Sequence, residues 1–393
     1  GLAACSEKVL GIKVEKGIGA MVEVHAFSDV AHYSGFDAEV TWKLYKALEP
    51  RLEGSLKRVW ALEMDVVGAL CDMELAGATI DVDELKALKA RLEIDIDAAK
   101  AKAWKLVGRP FSMNSVKEKQ ELLFSPKPEG RGIKPNLRIR VALTVKGQEV
   151  AANKPQELGI QHYSVSSDAL EFYRSKDELV DAILEYQDLN KLMTTYVMPY
   201  LGGEITRTTM GKEKIVDKKS IMINGKVHTN FKSHGAETGR FSSSEPNLQN
   251  IPNPSVSDNG RAIRNLFKAP DGYKLVVADY SQIEPRVIAA MSQDPIMMDN
   301  YLTGGDIYTT VGNTMGVDRK AGKVLVLAMA YGVGPDKIAK SIGCTVQEAR
   351  KLLTDFGAKF PAVNEYRTLV IGVARNLGYV TTLLKRRRYL PDI

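Results

Sequence analysis

The chain has 393 residues, 44% of them hydrophobic, which suits two or three domains with ample cores. Its three cysteines, Cys5, Cys71 and Cys344, lie too far apart for a metal-ligand spacing or a disulfide framework, so a reducing compartment is expected. The longest apolar stretch, about Val324–Ala330, is far too short for a membrane span, and no secretory leader is expected. The net charge of +6 is unevenly spread. Between Ser125 and Ile160 seven Lys or Arg stand against three Glu, and Lys385-Arg386-Arg387-Arg388 forms a second basic knot. Such clustering suits a polyanionic partner, although a solvated face would read the same way.

Taken in chain order, Gly1 to about Val30 shows little pattern. Asp37–Leu52 reads as an amphipathic helix, and Leu56–Leu75 and Asp83–Leu106 as two longer ones divided by Gly77. Asp81 or Asp83 caps the second of these, and Ser115–Phe124 reads as a further short helix. Residues 125–164, rich in Pro, Gly and cations, read as an extended or mobile basic loop holding a candidate strand at Leu137–Leu143. Helical patterns resume at Asp168–Tyr173 and Asp177–Leu201. Ile221–His228 carries a hairpin signal, because Asn224-Gly225 tolerates the positive φ angles of a tight turn. Beyond Gly203 the composition shifts to mixed α/β, which places a boundary near 202.

Three segments carry the candidate chemistry. Lys274-Leu-Val-Val-Ala-Asp279 is an apolar run ending in a carboxylate. Read as a buried strand, it delivers Asp279 to the crevice where ligands bind, with the backbone carbonyl of Tyr280 as a second hard oxygen for Mg²⁺. The rival role for Asp279 is the cap of a helix at Arg286–Met291. Ser281-x-x-Glu284 matches a capping box, but Pro285 fits a first helical position better than a fourth, which leaves Glu284 free to face the crevice.

The second segment, Arg319 to Gly332, reads as a helix of about thirteen residues and about 20 Å, capped by Asp318 and stopped by Gly332-Val-Gly334-Pro335. Arg319, Lys323, Leu327 and Tyr331 recur every fourth position and share one face, drifting by roughly 40° per step. Two cations at the positive end of the helix dipole suit a triphosphate; a surface helix with two solvated cations is the bland alternative. The third segment, His234 to Pro252, holds Arg240 and several side-chain amides, and by composition alone it is a polar loop.

Together these segments resemble family A DNA polymerases. Thr238-Gly-Arg-Phe-Ser-Ser-Ser-Glu-Pro-Asn-Leu-Gln-Asn-Ile-Pro252 is similar to the family's primer–template loop, Asp279-Tyr-Ser-Gln-Ile-Glu284 to its motif A, and Arg319–Gly332 to its motif B. Weaker similarity extends from about Tyr33 to Ile393. The resemblance implies an α+β, multidomain right-hand polymerase of thumb, palm and fingers, mostly helical, with an antiparallel palm sheet incomplete in this chain. Residues 1–52 would be a remnant of a proofreading exonuclease domain, and 53–201 a helical thumb with the basic loop 125–164. Residues 202–298 would be part of the palm, and 299–393 the fingers and the start of the return to the palm.

The implied reaction is template-directed DNA synthesis on a primer 3′-hydroxyl by two Mg²⁺ ions, with primer–template DNA and deoxynucleoside triphosphates as partners. By that resemblance Asp279 binds both metals, Glu284 lies under the incoming sugar, and Arg319 and Lys323 grip the triphosphate. Gln282, Tyr308, Leu327, Tyr331 and the weaker carry-over Arg264 would also meet the nucleotide. Tyr331 and Gly332 would lie where the templating base enters, and Arg240, Asn247, Gln249 and Asn250 would touch the duplex.

Departures from the pattern are specific. Leu327 stands where the family has an aromatic, Tyr308 where a phosphate-contacting His is usual, and Pro285 where Leu is usual. Leu327 in particular is reminiscent of phage enzymes. Motif C, a His-Asp-Glu strand with the second metal carboxylate, is not found in this chain, so the chain is expected to be incomplete and inactive alone. Tyr33-Ser-Gly-Phe-Asp37 resembles the last exonuclease motif, with Asp37 read here as a helix cap. The alternatives are one half of a split polymerase, a non-catalytic DNA-binding subunit, or a single-subunit RNA polymerase, which Glu284 opposes by obstructing a ribose. The cytoplasm of a bacterium or a phage-infected cell is the expected location.

Overall fold

A computed structural model describes residues 2–14, 24–135, 142–209, 212–252 and 258–392. The chain forms two compact units, one of residues 1–67 with 276–393 and one of residues 68–275. The helices α1 (Leu2–Leu10), α2 (Phe27–Leu48) and α3 (Ser55–Ala76) come first. Two of them depart from expectation. The α1 helix falls where the sequence shows little pattern, and α2 starts ten residues before Asp37. Asp37 is therefore an interior helical residue rather than a cap; its carbonyl accepts the Thr41 hydroxyl at 2.7 Å. The physical reason is that Val30, Tyr33, Val40 and Leu44 recur at helical steps and continue one partly buried face across the presumed start.

In the unit of residues 68–275, β1 (Ala78–Thr79) leads into α4 (Val82–Val107). Asp81 caps α4 by accepting from the Glu84 amide, and Gly108 ends it at φ 79°. Its Leu85, Leu88, Leu92, Ile96, Ala99 and Ala103 repeat at three- and four-residue steps and are all buried. Ser115 likewise caps α5 (Val116–Phe124).

The segment read as a basic loop contains α6 (Val145–Asn153) and two 3₁₀ turns, Pro155–Glu157 and Ile160–His162, which corrects that reading. Tertiary contacts hold it. Thr144 caps α6, and a Cβ on Gly147 would come within 2.4 Å of the His162 carbonyl. The Gln120 amide, from α5, donates to the carbonyls of Gln161 and Tyr163. The candidate strand at 137–143 lies outside the described residues except for Ala142 and Leu143.

After α7 (Ser167–Leu170), α8 (Glu178–Leu192) packs on α4, capped by Asp177, whose carboxylate accepts from the Leu179 and Val180 amides. A π-helical turn, Met193–Val197, joins it to α9 (Met198–Leu201), where Pro199 removes a donor from the α ladder. The strands β2 (Gly203–Thr209) and β3 (Lys212–Lys218) pair antiparallel. The hairpin of β4 (Met222–Ile223) and β5 (Lys226–Val227) forms as expected, with Asn224 at φ 51° and Gly225 at φ 73°, and β5 also pairs with β1. The strands β6 (Asn230–Lys232) and β7 (Ser242–Ser244) pair next, followed by α10 (Asp258–Asn265). Leu85, Leu92, Leu123, Leu179, Ile183, Tyr200 and Ile263 are central to this unit's core.

Residues 273–280, which run from the unit of residues 68–275 into the other unit, form no strand. Val276 and Val277 are each 91% exposed, so the buried strand expected at Lys274–Asp279 is overturned. A strand is held by inter-strand hydrogen bonds, and no described strand pairs with this segment. The helices α11 (Ile283–Ser292), α12 (Pro295–Leu302), α13 (Ile307–Met315) and α14 (Arg319–Tyr331) follow. Next come α15 (Pro335–Ile342), α16 (Val346–Lys359), α17 (Pro361–Leu377) and the hairpin of β8 (Tyr379–Thr381) with β9 (Arg387–Tyr389). Ile307, Val311, Leu325, Ile338, Phe356 and Phe360 form the core here, with the last two rings stacked at 4.5 Å. The fold is the expected mostly helical α+β type with antiparallel pairings throughout its described sheets. No helix among the described residues is long and apolar enough to cross a membrane.

Candidate active site

The site is built on α14. Asp318 caps it by accepting from the Ala321 amide at 2.7 Å, and Gly332 closes it at φ 64°, so all thirteen expected residues are helical. Ala321, Leu325, Val326, Ala328 and Met329 turn into the core. The opposite face presents Arg319, Lys323 and Tyr331 exposed and Leu327 half-buried. Because the helix begins at Arg319, both cations stand where the dipole already favours an anion.

Close backbone packing brings α13 under these cations. A Cβ on Gly322 would lie 2.3 Å from the Tyr308 carbonyl oxygen and 2.9 Å from the Gly312 nitrogen, so only glycine permits this approach. The nearly buried Tyr308 ring then sits 5.5 Å from the Arg319 guanidinium carbon and 5.8 Å from Lys323 Nζ. Both distances allow the ring face to attract the cations. Burial, together with the carboxylates of Glu284 and Asp306, pushes the Tyr308 hydroxyl above its usual range, partly offset by Arg319.

Asp306 is the hub. Its Oδ2 accepts from Arg319 Nε at 2.6 Å and from the Thr309 hydroxyl at 2.7 Å, and its Oδ1 accepts from Gln282 Nε2 at 2.7 Å. Burial alone would raise this carboxyl, but hydrogen bonds from Arg319, Thr309 and Gln282 with the Arg319 charge hold it below the usual carboxylate range.

The acidic turn meets the helix at a second point, where the Tyr331 hydroxyl donates to Glu284 Oε1 at 2.5 Å. No side-chain capping bond forms at the start of α11, where Gln282 adopts a left-handed conformation at φ 54°. The capping-box reading of Glu284 and the cap reading of Asp279 therefore both fail, and Glu284 faces α14. Pro285 falls third in α11, among the first-turn positions whose N–H groups have no helical acceptor. Behind the turn, the Tyr301 hydroxyl donates to Gln282 Oε1 at 3.4 Å, and Arg286 lies 4.4 Å from the Tyr301 ring. Burial pushes the Tyr301 hydroxyl up to about 12.

Thus Gln282, Glu284, Tyr308, Arg319, Lys323, Leu327 and Tyr331 come together, whereas the remaining expected residues are placed differently. Asp279 and Tyr280 are exposed at the end of the irregular segment before the turn. Among the described residues no three His, Cys, Asp or Glu side chains converge. Arg240, Asn247, Gln249, Asn250 and Arg264 belong to the unit of residues 68–275. There Asn247 Oδ1 accepts from the Gln249 amide, and Gln249 Nε2 donates to the Phe241 carbonyl. The Asn250 carbonyl accepts from Tyr196, and Arg264 holds the carbonyls of Pro252 and Ile251. Arg240, Asn247, Gln249 and Asn250 remain exposed.

Sequence reasoning missed Asp306, Thr309, Tyr301 and Gly322. Asp306 alone carried a signal, since it directly precedes a helix that ends just before Arg319; its acceptors serve side chains from three elements, which no local spacing reveals.

A helix start bearing two cations, with an aromatic platform beneath, is chemically able to receive a phosphate-bearing anion, with an acidic turn opposite it. The chain belongs to DNA polymerase family A, whose pattern matches residues 82–393. It is 33% identical over 364 residues to DNA polymerase I of Geobacillus stearothermophilus, covering 88% of this chain and 37% of that protein. To the thermostable DNA polymerase I of Thermus thermophilus it is 31% identical over 372 residues, covering 92% of this chain and 40% of the relative. Among solved structures, the POL domain of Pol1 from M. smegmatis, in complex with DNA primer-template and dNTP, aligns at a TM-score of 0.73 and 26% identity. That alignment covers all of this chain and 61% of the other. The chain spans less than half the length of these two curated relatives.

Proposed function

We propose that the chain is the nucleotide-handling part of a template-directed DNA polymerase that adds deoxynucleoside monophosphates to a primer 3′-hydroxyl. The observation that carries this reading is the double tie between the 281–284 turn and the open face of α14, through Gln282–Asp306–Arg319 and through Glu284–Tyr331. Arg319 and Lys323 bind the triphosphate, and Glu284 occupies the space a 2′-hydroxyl would need. Tyr331 and Gly332 border the templating base. In the other unit, Arg240, Asn247, Gln249 and Asn250 contact the duplex backbone and groove edges, with Arg264 bracing their loop.

Asp279 and the Tyr280 carbonyl suit Mg²⁺, a hard cation that takes one or two carboxylates and completes its shell with water and substrate phosphates. Bound there, the metal would polarise the phosphoryl oxygens and lower the pKa of the attacking hydroxyl. Among the described residues no group of three or more His, Cys, Asp or Glu side chains is placed to hold a metal, so the second carboxylate this chemistry calls for is not identified there. The test is primer extension by a polypeptide that joins this chain to a His-Asp-Glu strand. Extension with deoxynucleotides and its abolition by Asp279→Ala are expected. Robust extension by that variant would refute the metal assignment. Preference for ribonucleotides would favour an RNA polymerase, and DNA binding indifferent to nucleotide would favour a non-catalytic subunit.

A further inference from the structure

We propose that Asp306 is a positioning residue: it holds the Arg319 guanidinium in the orientation that receives a triphosphate, and it does so as one brace with Gln282. The proposal rests on the nucleotide reading of α14. Asp306 occupies the residue before α13, where an Asp ordinarily caps the helix through its side chain, yet it makes no side-chain capping bond. Its oxygens are instead taken by Arg319, Gln282 and Thr309, two of which come from other elements.

The need for such a brace follows from Arg319 itself. Its side chain is 59% exposed, so without a partner it would sample many rotamers. Binding through Nε at 2.6 Å and Nη2 at 3.5 Å fixes the plane of the guanidinium along one edge. A guanidinium has five N–H donors, so those not turned toward Asp306 stay available for phosphate oxygens. Gln282 is fixed at both ends, its amide nitrogen on Asp306 and its oxygen on the Tyr301 hydroxyl, so the carboxylate cannot swing away with the arginine. This also revises the part played by Gln282, whose amide is engaged inside the protein.

Asp306 brings a negative charge close to the anion site. If charge decided the outcome, removing it would tighten triphosphate binding; if orientation decides, removal weakens it. At an exposed site the Coulomb effect is screened, whereas the loss of a fixed donor geometry is not. Orientation should therefore win.

The test uses the full chain and dATP with Mg²⁺, titrated by calorimetry, beside the Nε–H resonance of Arg319 in protein labelled with ¹⁵N-arginine and assigned by its loss in Arg319→Lys. Asp306→Ala should weaken dATP binding roughly five- to tenfold and abolish the shifted, slowly exchanging Nε–H signal. Asp306→Asn, which keeps one acceptor, should fall between. In an Arg319→Ala background the Asp306→Ala change should no longer matter, which a merely structural role would not produce. Unchanged or tighter binding by Asp306→Ala, or an unaltered Nε–H signal, overturns the proposal. Failure of the unaltered chain to bind dATP while that signal persists overturns the nucleotide reading and the positioning role with it, leaving only a structural ion pair.

Discussion

Gly322→Ala tests whether α13 and α14 owe their placement to one missing methyl group. The added Cβ would meet the Tyr308 carbonyl oxygen at 2.3 Å and the Gly312 nitrogen at 2.9 Å, both backbone atoms that no side-chain rotation can move. Ordinary contact begins at 3.4 Å, so the helices must part by about 1 Å. Overpacking of this kind costs roughly 1–3 kcal/mol, set against about 1 kcal/mol gained when Ala replaces Gly inside a helix. The net expectation is a loss of up to about 2 kcal/mol. Gly372 in α17 supplies the comparison, because nothing lies within 4 Å of its would-be Cβ. Gly372→Ala should therefore stabilise its helix by about 0.5–1 kcal/mol. Native-state hydrogen exchange of the α13, α14 and α17 amides reads each change locally, without assuming that the two units unfold together. Retained or increased protection of α14 in Gly322→Ala would refute the steric argument. The same substitution should weaken dATP binding, since it moves the Tyr308 ring away from Arg319 and Lys323.

Two further outcomes follow from burial in the unit of residues 68–275. Lys119 is only 5% exposed, and burial lowers its amine to about 8 from the 10.5 of the unfolded chain. The unfolded state thus binds more protons between these values, and stability should rise as pH climbs through that window. At pH 7 the full penalty applies, so Lys119→Met should stabilise by up to about 3 kcal/mol, a gain that fades by pH 10 in thermal or urea melts. Tyr200 is fully buried, and its hydroxyl has no hydrogen-bond partner among the described residues. Tyr200→Phe should be neutral or stabilising by about 1 kcal/mol, and a comparable loss in melts would reveal a bond the hydroxyl makes.

What the sequence made legible was whatever local chemistry decides. Asp81 and Asp318 cap their helices, helices begin at the expected Ser115 and Asp177, and Asn224-Gly225 turns its hairpin, because each acts on backbone within three residues. The shared face of Arg319, Lys323 and Tyr331 was legible for the same reason, since helical period alone sets it. The run at 274–279 misled because apolar composition signals burial only when something covers it, and Val276 and Val277 are exposed here. Helix α6 was hidden because His162 supplies the contact that favours it, and no pattern within 145–153 announces that neighbour. Asp306 escaped notice because its partners lie 13 and 24 residues away.

The near-contact of backbones at Gly312 and Gly322 has a mechanical consequence. Two rods touching at their main chains have no side-chain cushion between them, so α13 and α14 travel as a single piece. Whatever displaces α14 carries along its counter-ion, Asp306, and its aromatic floor, Tyr308, in fixed register with Arg319 and Lys323. The contribution of these four side chains to the field at the start of α14 is therefore set by the pair as a unit.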